Sequence, residues 1–389
     1  MDRRGFIRCA AVVALAGGTA FSALAQETVK IGLILPLTGP FASTGRQIDS
    51  AVKVYMAKHG STVAGKKVEV IVKDDAGTAE TTRRLAQELV VNDKVAFLAG
   101  FGLTPLAFAT APVATQAKVP MIVMAAATSS ITEQSPFIVR AGFTLPQVTL
   151  PMAEWAAKNN LRKVVTLVTD YGPGIDAESQ FKKSFTAAGG TVPAELRVPI
   201  KNPDFAPFLQ RVRDASPDAV FVFVPSGVGS IFMKQYAERG LDKSGIKLIA
   251  TGDVTDDDIL NDMGDVALGV INTHHYSAAH DSPLNREYVA AMRKSANLRA
   301  NFHSVGGYDG MHLIYKALEA TKGNTSGEAL VDAMKGMTWE SPRGPVSIDR
   351  DTRDVIQNVY VRRVERVDGQ LWNIEFQTVT AVKDPGKQK

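Results

Sequence analysis

Residues 29–45 read VKIGLILPLTGPFASTG, an apolar run of strand length that breaks at Pro36 and then turns through a Gly-Pro pair. A helix is expected to begin near Ser43, because small polar residues favour helix starts. A buried strand followed by a turn and a helix is how an open α/β sheet begins, and such sheets bind ligands beyond the carboxyl ends of their strands. The segment therefore predicts an α/β protein with a small-molecule site.

The segment before this strand has the three parts of an export signal. It has a basic start, an apolar core at 10–20 and the small-x-small sequence Ala-Leu-Ala at 23–25, so we expect residues 1–25 to be cleaved and the mature protein to act in the periplasm. The apolar core is shorter than the roughly 20 residues that span a bilayer, so no membrane anchor is expected. The RRGFI sequence at 3–7 also resembles a twin-arginine signal. The sequence leaves open whether that route or ordinary secretion is used.

Composition and charge exclude several classes of function. The 389 residues carry a formal charge of +4, and removing the three arginines and one aspartate of residues 1–25 lowers it to +2. Charges of both signs are mixed along the chain, which predicts neither nucleic acid nor an anionic membrane as a partner. Cys9 is the only cysteine, so the mature chain should lack disulfides and cysteine metal sites. The mature length exceeds what one core usually supports, which predicts two lobes.

Strand-length apolar runs alternate with longer amphipathic stretches over most of the chain. This order predicts parallel sheets covered by helices on both faces. The predicted strands are 29–35, 67–73, 95–99, 121–124, 163–169, 191–198, 219–224, 247–250 and 269–273. The predicted helices are 44–58, 79–92, 104–116, 147–159, 175–188, 205–215 and 229–239. Three successive helices at 283–297, 304–321 and 327–334, followed by strands near 346, at 355–365 and at 370–377, predict that the chain finally re-enters elements already built.

Four segments carry a family resemblance: 30–46, VKDDA at 72–76, 120–128 and TDYG at 169–172. Their order and spacing resemble those of the leucine/isoleucine/valine-binding family of periplasmic solute receptors. The resemblance implies a type I periplasmic binding fold, with two Rossmann-like lobes, parallel sheets and a ligand in the cleft between them. It also implies delivery of that ligand to an inner-membrane ABC permease with cytoplasmic ATPase subunits.

The resemblance also divides the chain. It implies a first lobe from residues 26–145 with 275–345, a second lobe from 146–274 with 346–382, and a C-terminal tail at 383–389. It places the three crossings between lobes near residues 143–146, 273–276 and 343–347.

By the same resemblance, six residues of the first lobe contact the ligand. They are Thr44, Phe101, Leu103, Thr104, Ala126 and Thr128. Thr104 follows a strand and begins a helix, whose N-terminus favours a carboxylate; alternatively it only caps that helix, with Pro105 in the first helical position. Ala126 and Thr128 are expected to hold the carboxylate by a backbone amide and a hydroxyl, helped by Ser129, although this loop is also typical of a tight turn. Thr44 replaces an aromatic ring common in the family and leaves room in the pocket.

The second lobe is expected to contribute Tyr171, Ser226 and Asp253. Tyr171 closes over the ligand, or is a half-buried turn tyrosine. The resemblance implies that amino-acid-binding members have a tyrosine and a glutamate where this chain has Pro225-Ser226 and Gly252, next to Asp253. A buried ammonium without a carboxylate would be costly. The altered positions, with Phe143 and nearby aromatic residues, therefore predict a benzoate-like aromatic acid as ligand. A branched-chain amino acid stays open if Asp253 faces the cleft.

Other chemistries find little support in the sequence. His274 and His275 are expected to face opposite ways at a strand end, in the hinge or at the surface unless one reaches the cleft, so no metal is predicted. Residues 172–177 match a dinucleotide-binding pattern, but Pro173 removes an amide that a pyrophosphate needs, so no cofactor is predicted. The PSGVG sequence at 225–229 lacks the first glycine of a nucleophile elbow, and no catalytic residue is predicted. A ligand sensor for a signalling partner has the same fold and remains an alternative.

Overall fold

Two β-sheets form the framework of the protein. The structure, a computed structural model, describes residues 27–387. The predicted export signal at 1–25 lies outside the described residues. Within them, no helix combines the length and the apolar character that crossing a membrane requires.

The first sheet has six strands in the order β2-β3-β1-β4-β5-β6, and all neighbours are parallel except β2 and β3. These strands are β1 (Thr28–Leu35), β2 (Thr62–Val63), β3 (Lys66–Asp74), β4 (Phe97–Gly100), β5 (Met121–Val123) and β6 (Ile138–Arg140). The helices that follow them are α1 (Ala42–His59), α2 (Ala79–Val91) and α3 (Thr104–Ala117). The central strands β1, β4 and β5 are almost entirely buried, as expected for a sheet that helices cover on both faces.

The second sheet is parallel in its first part and antiparallel in its last part. The parallel strands are β7 (Val164–Thr169), β8 (Glu195–Val198), β9 (Ala219–Phe223), β10 (Lys247–Thr251) and β11 (Ile271–His274). The antiparallel strands are β12 (Thr338–Ser341), β13 (Gly344–Ile348), β14 (Val355–Val367) and β15 (Gln370–Val382). The helices of this part are α4 (Leu145–Lys158), α5 (Gly172–Ala187), α6 (Ala206–Ala215), α7 (Gly229–Glu238) and α8 (Leu260–Met263).

Three late helices return to the first sheet. They are α9 (Pro283–Ala296), α10 (Phe302–Ala320) and α11 (Gly327–Met334). Helix α10 packs along α1, and its glycines allow close approach to the loop after β5 and to α1. A side chain at Gly306 would collide with the carbonyl of Met124, and a Cβ at Gly307 would lie 3.0 Å from the carbonyl oxygen of Ile48.

The predicted α/β architecture is confirmed, with three differences in detail. The sequence did not predict β2, β6 and β12, which are too short to show a periodic pattern. The predicted strand at 191–198 pairs fully only from Glu195, after a single bridge at Thr191. The second sheet already includes Thr338, several residues before the predicted third crossing at 343–347. The lobe boundaries themselves stay a prediction.

Candidate functional site

A cavity lies between the two sheets, beyond the carboxyl ends of their parallel strands. Its free volume in this structure is about 30 Å³, so a ligand of more than a few atoms requires the two walls to move apart. Loops after β1, β4 and β5 form one wall, and loops after β7, β9 and β10 form the other. The lining residues are Phe41, Thr44, Gly102, Leu103, Thr104, Ala125, Ala126, Ala127, Phe143, Leu145, Tyr171, Pro173, Phe223, Pro225, Ser226, Asp253 and His303.

Most of the residues predicted to contact a ligand meet in this cavity. Those that line it are Thr44, Leu103, Thr104, Ala126, Tyr171, Ser226 and Asp253. Thr128 lies directly behind Thr104, and Phe101 points elsewhere. The structure brings the residues together, while their role in binding stays a prediction.

Thr104 and Thr128 form a pair of buried hydroxyls at the start of helix α3. Their Oγ1 atoms are 2.9 Å apart. The N-cap residue of α3 is Leu103, so Thr104 is the first helical residue and does not serve as the cap considered above. Hydroxyl donors beside the N-terminus of a helix provide a favourable place for a carboxylate.

Two details of the predicted first wall are wrong. The amide of Ala126 donates to the carbonyl of Phe101 at 2.9 Å, so it is not free to hold a ligand carboxylate. Phe101 is fully buried and belongs to an apolar cluster with Ile34 and Leu98, away from the cavity. The chain turns through a left-handed conformation at Phe101, with φ of 69°, and the sequence alone does not show which way such a turn directs the ring.

Ser129 does not face the cavity as a free helper either. Its amide donates to Asp176 Oδ2 at 2.9 Å, and its hydroxyl donates to Asp384 Oδ1 at 3.0 Å. Ser129 therefore fastens the end of the loop instead of supplying a donor to a ligand.

Four aromatic rings line the space between the two walls. They belong to Phe41, Phe143, Tyr171 and Phe223. The rings of Tyr171 and Phe223 are stacked, with centroids 6.1 Å apart and planes inclined by 20°. Burial raises the pKa of Tyr171, and the Asp253 carboxylate adds to the rise, so the phenol stays neutral. These flat faces fit a planar apolar ligand.

The cavity lining includes three buried polar side chains, of which Ser226 and Asp253 follow β9 and β10 and His303 lies on α10. Ser226, Asp253 and His303 are 5%, 4% and 7% exposed. Within the described residues, His303 Nδ1 has no hydrogen-bond partner, and Asp253 Oδ2 has only the long contact of 3.4 Å to His274 Nε2. The Ser226 hydroxyl interacts with the buried Asp256 carboxyl. Burial lowers the pKa of His303 to about 3, so its ring is neutral. Because unpaired buried polar atoms are costly, this part of the cavity is suited to a ligand that supplies hydrogen bonds.

The neighbouring histidines differ from the prediction. His274 and His275 are both fully buried, and their ring centroids are 4.6 Å apart. They were expected to face opposite ways, but β11 ends at His274, so strand alternation does not extend to His275. The Nε2 atom of His274 lies 3.4 Å from Asp253 Oδ2, and burial lowers the pKa of His274 to about 4. Neutral His274 therefore stands behind Asp253, outside the cavity lining.

Potential metal ligands are not clustered in the described residues. In the part of the chain from 27 to 387, no group of three or more His, Cys, Asp or Glu side chains is placed to hold a metal ion.

Some lining residues could not be found from the sequence. Phe223 ends a strand that is apolar throughout, so its sequence context indicates only a core residue. His303 lies in the first turn of α10, a late helix that reaches the cavity only because it packs back on the first sheet. Pro173 also lines the cavity, although its sequence context indicates only that a nucleotide would bind poorly there.

Similarity to known proteins covers nearly the whole chain. A family model described as periplasmic binding protein matches residues 28–370. The chain belongs to the periplasmic binding protein family. This periplasmic binding protein is 47% identical over 382 residues to a Brucella melitensis biotype 1 protein named Leu/Ile/Val-binding protein homolog 6, with 97% of each chain covered.

Two solved structures from Rhodopseudomonas palustris have the same fold. One, from strain BisB5, is a solute-binding protein of an ABC transporter in complex with 3,4-dihydroxybenzoic acid, with 63% identity and a TM-score of 0.91. The other, from strain HaA2, is in complex with p-hydroxybenzoic acid, with 45% identity and a TM-score of 0.91. Each match covers 93% of this chain and 99% of the other. This periplasmic binding protein is thus a solute-binding protein of an ABC transporter, and its predicted type I fold is confirmed.

The two walls of this periplasmic binding protein touch around the cavity. Ser43 at the start of α1 donates a hydrogen bond to Asp258 of the opposite wall. A Cβ at Gly172 of α5 would lie only 2.5 Å from Thr128 Oγ1. The Ser129 amide bonds to Asp176 of the same helix at 2.9 Å. The structure therefore has the two walls in direct contact, as in a closed receptor.

Asp176 should make this periplasmic binding protein less stable as the pH rises from 4 to 7. Burial raises the pKa of its carboxyl from 3.8 to about 6, against the lowering effect of the hydrogen bond from Ser129. Between these values the folded protein keeps a proton that the unfolded chain has released. The stability contributed by this proton is present below pH 4 and is lost as the pH rises through 6.

For this partly exposed carboxyl we expect the loss to be about 1 kcal/mol. Urea unfolding at pH 4, 5.5 and 7 should show that the free energy of unfolding of the wild type falls by this amount, relative to that of Asp176→Asn, as the pH rises. Parallel pH profiles for the two proteins would contradict the assignment.

Proposed function

We propose that this protein binds a hydroxylated benzoate in the cavity and delivers it to the permease of an ABC importer. The observation that carries the proposal is the order of groups across the cavity. Paired hydroxyls stand at a helix N-terminus, aromatic rings line the space beside them, and the buried polar side chains of Ser226, Asp253 and His303 complete the lining.

The carboxylate of the ligand is proposed to lie at the N-terminus of α3. There it would accept hydrogen bonds from the hydroxyls of Thr104 and Thr128, which bond to each other at 2.9 Å in this structure and would exchange that bond for bonds to the ligand. Hydrogen bonds to an ionised group are stronger than neutral ones, so this end would provide much of the affinity.

The ring of the ligand is proposed to lie among the four aromatic side chains. Thr44, which is 5% exposed, lines the cavity beside them with a smaller side chain than an aromatic ring. A ring hydroxyl at the far end would donate to Asp253 Oδ2, whose contact to His274 Nε2 is long at 3.4 Å. The second ring hydroxyl of a dihydroxybenzoate could form a hydrogen bond with Ser226 or His303. Both mono- and dihydroxybenzoates therefore fit this part of the cavity.

Closure of the two lobes is proposed to accompany binding. We propose that the lobes follow the two sheets, with the ligand first meeting Thr104 and Thr128 and the second sheet then bringing Tyr171 and Asp253 against it. Exclusion of water would strengthen each polar contact, and the closed form would be what the permease recognises. Residues 1–25 are proposed to be a cleaved signal for export, by the twin-arginine or the ordinary secretory route.

A branched-chain amino acid is the second candidate ligand. Asp253 lines the cavity, as the binding of an ammonium group would require. A relative with 47% identity is named Leu/Ile/Val-binding protein homolog 6. An ammonium could pair with this carboxylate. The aromatic rings and the ligands of the two Rhodopseudomonas palustris proteins favour the aromatic acid.

A ligand panel tests the proposal directly. Melting temperature and calorimetry would be measured with 4-hydroxybenzoate, 3,4-dihydroxybenzoate, benzoate, phenylacetate, leucine and valine. We expect the hydroxybenzoates to bind most tightly. Stabilisation by leucine or valine alone would overturn the aromatic-acid proposal.

The Asp253→Ala variant, measured with the same panel, tests the role of this carboxylate, and benzoate serves as the control ligand. It should lose about tenfold in affinity for 4-hydroxybenzoate, since a hydrogen bond to a charged group contributes about 1.5 kcal/mol or more. Benzoate has no hydroxyl for this wall, so its affinity should stay the same or rise. An equal loss for both ligands would show that Asp253 does not read the ring hydroxyl.

A further inference from the structure

We propose that the C-terminal tail, residues 383–387, positions the ligand-holding loop at 125–129 through a buried charge cluster. The tail follows β15 of the second sheet, and the loop follows β5 of the first. The proposal rests on the proposed function only in taking the cavity as the ligand site. It does not depend on which ligand binds there.

The centre of the cluster is the carboxylate of Asp354, which is 1% exposed. Arg140 donates its Nε to Asp354 Oδ1 at 2.7 Å, and Thr132 donates its hydroxyl to Asp354 Oδ2 at 3.1 Å. The Nζ of Lys387 donates to both Asp354 and Thr132. The Lys387 side chain is itself only 7% exposed, so the last described residue of the tail contributes a buried cation.

Arg140 connects this cluster to the loop. Its side chain is fully buried. It donates from Nη1 to the carbonyl of Ala126 at 2.5 Å and from Nη2 to the carbonyl of Thr128 at 2.7 Å. These two residues carry the cavity lining and the hydroxyl that pairs with Thr104. The orientation of the guanidinium on Asp354 therefore decides where the loop carbonyls lie.

The tail also holds the loop directly. Asp384 Oδ1 accepts a hydrogen bond from the hydroxyl of Ser129 at 3.0 Å. Gly386 allows this contact, because a side chain there would collide with Ser129 Oγ. Ser129 is thus bonded both to the tail and, through its amide, to Asp176 of α5.

Removal of the Lys387 cation is expected to loosen this support. Asp354 would keep Arg140 but lose its second cation, and Arg140 would be free to shift toward the space that Lys387 leaves. Because the members of a buried hydrogen-bond network hold one another in place, a change at one member shifts its neighbours. The loop would then present Thr128 less accurately to the ligand.

The test compares Lys387→Met with Lys383→Met in the full chain. Lys383 lies in the same tail, but its side chain is 59% exposed and pairs with Asp349 at 3.0 Å. We expect Lys387→Met to raise the dissociation constant about three- to tenfold and Lys383→Met to leave it within twofold. The probe is the panel compound that stabilises the wild type most, titrated at a temperature where every variant is folded.

Two further measurements separate positioning from simple stabilisation. Lys387→Arg keeps the cation and should restore the affinity. Amide hydrogen exchange of the ligand-free protein should be faster at 125–134 in Lys387→Met and in Asp384→Ala, but unchanged in Lys383→Met. Exchange and affinity that match the wild type in Lys387→Met, even with a lower melting temperature, would overturn the proposal.

Failure of the proposed function gives a different result. In that case no panel compound binds the wild type, and the exchange experiment alone decides whether the tail positions the loop.

Discussion

Gly172→Ala is expected to weaken ligand binding by about 2 kcal/mol, roughly 30-fold, while the melting temperature of the ligand-free protein stays unchanged. The added Cβ would lie 2.5 Å from Thr128 Oγ1 and 3.4 Å from Thr104 Cγ2. Thr128 could rotate away, but it would then lose its hydrogen bond to Thr104. Both outcomes disturb the pair of hydroxyls proposed to hold the carboxylate.

The ligand-free protein should tolerate the same methyl group. Gly172 is the first residue of α5, and alanine is favourable at helical positions. The clash arises only where α5 meets the first lobe, so an open form would not contain it. Calorimetry for affinity and thermal unfolding for stability separate the two effects.

A double-mutant cycle with Thr128→Ala sharpens this prediction. Thr128→Ala alone should weaken carboxylate ligands by about 1 to 3 kcal/mol, because it removes a donor to a charged group. In that background the nearest contacts of the added methyl would be Thr104 Cγ2 at 3.4 Å and Thr128 Cβ at 3.5 Å, which are ordinary distances. Gly172→Ala should then cost much less. Fully additive effects of the two substitutions would contradict direct contact across the cleft.

The family resemblance predicted the residues of the first wall, and strand order is the physical reason why most of them meet in the cavity. Thr104 and the 125–128 loop follow apolar runs that are visible in the sequence, and parallel strands present their carboxyl ends at one edge. Tyr171 follows a third such run. Strand order therefore explains why these residues lie close together, whichever way their side chains point.

The remaining site residues depend on features that the sequence does not show. The direction of the Phe101 ring depends on a backbone φ of 69°. The Ala126 amide is not available to a ligand because it donates to the carbonyl of Phe101. His303 reaches the cavity through the return of α10 along α1. Long-range packing of this kind has no periodic signal in the chain.

Arg343→Met is expected to lower the free energy of unfolding by about 3 to 5 kcal/mol, because it leaves a buried carboxylate without its cation. Arg343 is 1% exposed, and its Nη2 lies 2.8 Å from Asp309 Oδ2. Its Nη1 donates to the carbonyl of Gly142 at 2.9 Å and to Gln357 Oε1 at 2.7 Å. Burial lowers the pKa of Arg343, and the Asp309 carboxylate opposes that effect. The hydrogen bonds of Arg343 to Gly142 and Gln357 link the segment just before Phe143 of the cavity to the second sheet.

Arg286→Met is the matched control for this prediction. Arg286 also forms an ion pair, with its Nη1 2.5 Å from Asp281 Oδ1, but its side chain is 63% exposed and that of Asp281 is 94% exposed. Solvent screens such a pair, so its loss should cost about 0 to 1 kcal/mol. Urea unfolding followed by circular dichroism gives both values. Equal midpoints for the two variants would show that Asp309 finds another partner or a proton once Arg343 is gone, and that the buried pair does not fix the crossing between the sheets.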